Sequence, residues 1–120
     1  MRALTARAPA PENLHKAINS LEKLYLVLFF HENPETLDNA SGIALRLGYS
    51  EDRLRQPLAE LAEAGVLVKH GEGDQAVYVY TSDPAVREFV QREYCEKYQS
   101  KQARRELESA VLARREANAR

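Results

Sequence analysis

"YSEDRLRQPLAELAEAGVL", residues 49–67, is the stretch whose reading decides the fold. Ser50 is a helix-capping residue type, and Glu51 and Asp52 follow it where carboxylates complement the positive end of a helix dipole. Leu54, Leu58 and Leu61 recur at four- and three-residue steps, the spacing of one helix face, and Gly65 ends the pattern before a run rich in valine. With the leucines turned inward, projection at ~100° per residue puts Asp52, Gln56, Ala59 and Glu63 at the outward centre. Glu60 lies close by, and Arg53 and Arg55 lie on the two flanks. Pro57 removes one bond from the helical ladder, so a bend or a widened turn is expected there.

Working back along the chain, "LDNASGIALRLG", residues 37–48, reads as a helix capped by Thr36. Ala40, Ile43, Ala44 and Leu47 form its buried stripe, and Gly48 is placed to end it in a left-handed cap. Further upstream, from Pro11, the residues Leu14, Ile18, Leu21, Tyr25, Leu28 and Phe29 predict one long first helix, which Pro34 closes. The second half of that helix, "LYLVLFF" at 24–30, is apolar nearly all round and must be covered on more than one side. Two covers are open. One is a second copy of the chain, with Leu26, Phe30, Val86, Val90 and Tyr94 at a homodimer interface; the other is the C-terminal helix of the same chain.

Working forward, "VLVKH" and "AVYVYT" predict two strands joined by "GEGDQ", a β-hairpin in which Tyr78 and Tyr80 share one packed face. Asp83 followed by Pro84 starts a fourth helix, with Val86, Phe89, Val90, Tyr94 and Tyr98 on its apolar side. Past Tyr98 only Leu107, Val111 and Leu112 remain as sizeable apolar residues, and six Lys/Arg stand against three Asp/Glu. The expectation is therefore a flexible arm at 1–10 carrying Arg2 and Arg7, a folded unit at 11–98, and a loosely held helical extension at 99–120.

The totals narrow the function classes. Across 120 residues, 44% are hydrophobic and 29% charged, with a formal net charge of -1, so no global cationic field draws the chain to polyanions. The longest apolar run is far shorter than the ~20 residues of a membrane span, and residues 1–12 lack a signal-peptide core; the expectation is a cytoplasmic protein that does not contact a membrane. Cys95 is the single cysteine, and its expected role is that of a small, partly buried hydrophobe. His15, His31 and His70 lack the spacing of zinc ligands, and no phosphate-binding loop or nucleophile–base constellation is apparent. The expectation is a non-enzyme without metal or cofactor.

The segment "ALRLGYSEDRLRQPLAELAEAGVLVKHGEGDQAVYVYTSD", residues 44–83, resembles the winged helix-turn-helix domains of MarR-, ArsR- and PadR-type bacterial transcriptional regulators. The resemblance extends over about residues 14–98. It implies a mainly α fold with a small β-hairpin, a winged helix-turn-helix plus a long C-terminal helix. It also implies a regulator that reads double-stranded DNA, with the third helix in the major groove and the hairpin as a wing on the flanking backbone. Carried over by position, the DNA-binding candidates are Ser50, Arg53, Arg55 and Gln56 on the helix and Lys69, His70 and Gln75 on the wing. The same stretch also carries a contrary signal: from Ser50 to Ala64 there are two positive and four negative side chains, which opposes contact with phosphates. Winged helices also serve as protein-binding modules, so a protein partner is the alternative expectation.

Overall fold

A computed structural model of the chain describes residues 11–118, with side chains to Arg115. The arm expected at residues 1–10 lies outside the described residues. The elements are α1 (Pro11–Ala17), α2 (Leu21–Glu32), β1 (Leu37–Asn39), α3 (Ala40–Leu47), α4 (Glu51–Glu63), β2 (Leu67–His70), β3 (Val77–Tyr80), α5 (Pro84–Val90) and α6 (Lys101–Asn118). The fold is mainly helical, with one antiparallel sheet of strand order β1-β3-β2. Among the described residues no helix is long and apolar enough to cross a membrane.

The expected first helix is two helices. The chain leaves α1 at Ala17 and restarts at Ser20, which is extended at φ -149° and accepts the Lys23 N–H on its hydroxyl. A serine there offers the backbone a cap in place of one more helical bond, which overrides an apolar period that runs unbroken across the joint.

Leu37–Asn39 is strand and not helix, because β3 holds it in register: Leu37 opposite Val79, Asp38 opposite Tyr78 and Asn39 opposite Val77. Thr36 is buried and caps nothing; its N–H bonds to the Asn33 carbonyl. The cap is Asn39, whose Oδ1 accepts the Gly42 N–H at 2.9 Å. Gly48 ends α3 in the left-handed region, at φ 78°, as its position implies.

Helix α4 matches the reading closely. Ser50 caps it, Leu54, Leu58 and Leu61 are fully buried, and Gly65 follows at φ 89°. It continues through Pro57 without a break. The widened turn occurs elsewhere, at Gln91–Cys95 after α5, where the backbone winds as a π-helix and seats Tyr94 in the core.

The apolar surplus of α2 is covered from within the chain. Leu26, Phe30, Val90 and Tyr94 are 0% exposed and Val86 is 1% exposed in a single copy, so none of the five is available to a dimer interface. The cover includes α6, which is not loosely held. Leu107 and Val111 enter the core, Glu108 accepts hydrogen bonds from Tyr25 (2.8 Å) and Tyr98 (3.0 Å), and Arg114 reaches α1. Polar anchors supply what the sparse apolar stripe lacks, which is why hydrophobic periodicity alone understates the hold on this helix.

Candidate functional site

The outward side of α4 and the adjoining hairpin hold the seven side chains singled out from the sequence. They do not form one cationic surface. Ser50 has its hydroxyl turned to the Arg53 N–H at 3.4 Å. Arg53 leans toward α2, pairing with Glu22 and lying 4.9 Å from the centre of the Tyr49 ring. Burial pushes the Glu22 carboxyl up, but its backbone hydrogen bond and the Arg53 guanidinium outweigh this and hold it below the ordinary carboxylate range.

Arg55 leans the other way and ties the helix to the hairpin. Its Nη1 donates to Asp74 at 2.5 Å, and Glu51 and Asp52 complete a shell of three carboxylates. Gln56 donates to Glu60 at 2.7 Å, and Glu60 also pairs with Lys23 from α2. The Lys23 ammonium, then Gln56, hold the Glu60 carboxyl low.

Lys69 faces Glu72 at 3.4 Å. His70 and Gln75 are exposed near the end of the hairpin. Because successive strand residues point to opposite sides, Lys69 and His70 do not converge on one ligand. From Ser50 to Gln75 the chain carries three Lys/Arg and six Asp/Glu, and each of the three cations already has a carboxylate partner. Such exposed pairs exchange partners readily. The excess of negative charge remains when they do.

Of these partners, Glu51 is legible at i−4 from Arg55, and Glu60 at i+4 from Gln56. Glu22 is 31 residues from Arg53 and becomes a partner only through the packing of α2 on α4. Asp74 reaches Arg55 only because the hairpin folds back along the helix.

The three histidines are dispersed. His15 meets the Tyr94 hydroxyl at 2.9 Å, His31 bridges Tyr80 and Gln91, and His70 is exposed on β2. Burial raises the Cys95 thiol to about 11, with Glu32 and Glu96 adding to the rise, so the thiol stays protonated near neutrality. Among the described residues no group of His, Cys, Asp or Glu is arranged to hold a metal ion. No protein-family model, no curated protein and no solved structure matches this chain.

Proposed function

We propose that the chain is a winged-helix module whose α4 and hairpin present an acidic docking face to a cationic protein partner. The order helix, strand, helix, turn, helix, hairpin supports the winged-helix reading, and β1 adds the third strand to the sheet at the base of the wing. One observation carries the partner class: six carboxylates against three cations, all three already paired, on the surface this scaffold exposes. A polyanion must overcome that excess, whereas a polycation gains from it.

A second reading has its own support. Arg53, Arg55 and Gln56 are exposed on α4, and exchange of their surface partners for phosphates and base edges would make α4 the reading helix of a DNA-binding transcriptional regulator. Fluorescence anisotropy with a labelled DNA duplex at about 50 mM salt separates the two. The docking reading expects no binding by wild type, and a gain of non-specific binding when Asp52 and Glu63 become Gln. Tight wild-type binding that Arg53→Ala plus Arg55→Ala abolishes would instead establish the DNA reading.

A photo-crosslinking side chain placed at Gln56 gives the positive test. In cells it should trap a discrete basic protein, and the adduct should disappear when Asp52 and Glu63 are neutralised.

A further inference from the structure

Strand β2 is an edge strand, and the register fixes which of its backbone groups are free. The Thr81 N–H bonds to the Val66 carbonyl at 3.0 Å, so Val66 and Thr81 form a hydrogen-bonded pair. Bonded pairs alternate along an antiparallel ladder; Val68 with Val79 and His70 with Val77 are therefore bonded too. Lys69 turns its N–H and C=O groups away from β3, toward the open side of the sheet, where the residue is exposed; Leu67 has the same orientation but is covered, at 1% exposure.

That open side is not bare surface. An open groove of about 620 Å³ lies between β2 and the C-terminal half of α4, lined in part by Ala59, Ala62, Leu67, Val68, Glu63 and Asp83. Ala59 and Ala62 contribute only methyl side chains to the helix wall of this groove. The groove's carboxylates outnumber its cations: Glu63 has no ion-pair partner among the described residues, Asp83 stands at the other wall, and the Lys69 charge is met by Glu72. A lysine on a free strand edge commonly discourages pairing. Here its charge is answered, and its backbone donor still points outward.

We infer that this groove is a peptide-binding site in which an extended segment of a partner protein, carrying Lys or Arg alternating with small apolar residues, adds as a fourth strand to the free edge of β2. The inference rests on the docking reading above and gives it a mode. Backbone hydrogen bonds to Lys69 supply register, small side chains face Ala59 and Ala62, and the cations meet Glu63 and Asp83.

The test uses the full chain and a fluorescein-labelled octapeptide of alternating lysine and valine, with its glutamate-for-lysine counterpart. Wild type is expected to bind the lysine peptide and not the glutamate peptide. Lys69→Pro removes the outward donor while leaving the bonded pairs of the β2–β3 ladder in place. It should weaken the lysine peptide about three- to tenfold, the net worth of one backbone hydrogen bond. Lys69→Ala removes the same charge but keeps the N–H, so it should bind as well as wild type or better. Circular dichroism with thermal unfolding confirms that both variants are folded.

Strand addition is overturned if Lys69→Pro and Lys69→Ala bind alike. When the lysine peptide still binds in both but is released by neutralising Asp52 and Glu63, the acidic-face reading survives without this mode. Binding of neither peptide overturns both.

Discussion

Arg114 shows how one side chain can hold two ends of the chain together. Its Nη1 donates to the carbonyls of His15 (3.0 Å) and Ile18 (3.1 Å) and to the Tyr94 hydroxyl (2.8 Å), tying the end of α1, where the His15 carbonyl also accepts the Ile18 N–H, to the core. Arg114→Met keeps the stem and removes the donors, so it should destabilise the fold by about 2 kcal/mol, read as a lower urea midpoint with an unchanged slope. A loss near zero would mean that water replaces the guanidinium. The neighbouring His15 gives a pH signature. Burial first, then Arg114 and more weakly Lys97, lower its pKa below the ordinary 6.5, while Glu93 pulls the other way. As pH falls through 6.5 the unfolded chain takes up this proton before the folded one, so stability is complete above that range and declines below it, until the folded imidazole is protonated as well. The carboxylates held low, Glu22, Glu60 and Glu93, act only below their ordinary 4.5, so the two windows separate. Urea midpoints taken between about pH 7.5 and 5.5 should fall for wild type and fall less for His15→Gln.

At the level of elements, caps and glycines were legible where the sequence states them locally. Ser50, Gly48, Gly65 and the Asp83–Pro84 pair all sit where the reading puts them. What was not legible depends on contacts distant in sequence. "LDN" carries no β-branched residue and becomes a strand only because β3 lies beside it; Ser20 competes with an intact apolar period and prevails through a local hydrogen bond. Helix α6 is the sharpest instance, since its hold comes from Glu108 and Arg114, which count as solvated charges in any periodicity argument. Two expectations follow. Asn39→Ala removes the cap that separates β1 from α3 and should cost about 1 kcal/mol. Amide exchange along α6 should be slow around Leu107 to Val111, comparable to α2, and Val111→Ala should cost about 2 kcal/mol. Rapid exchange throughout α6 would show that its polar anchors do not hold in solution.

Across the whole molecule, the side chains expected to drive pairing are already in the core, and this changes what the surface can be for. "LYLVLFF" demands cover, and the sequence leaves open whether a second copy or the chain's own C-terminal helix provides it; the structure closes α2 with α4, α5, the Gln91–Cys95 turn and α6. The seven DNA-binding candidates, taken from the resemblance, are all exposed, and helix projection, which needs only local geometry, puts Gln56 outward with Arg53 and Arg55 on its flanks. Packing brings Glu22 to Arg53 and Asp74 to Arg55, whereas the acidic excess of the face is already legible in the sequence. Assembly and charge can then be tested together. With no large apolar side chain of α2 left uncovered beyond the partly exposed Leu21, Tyr25 and Phe29, sedimentation velocity at micromolar concentration should give a monomer. Leu26→Glu should unfold that monomer and not merely dissociate a dimer, since it puts a charge into a fully buried position. A wild-type dimer that Leu26→Glu converts to a folded monomer would return this residue to an interface, and would require the core packing around α2 to be rearranged in the assembled protein.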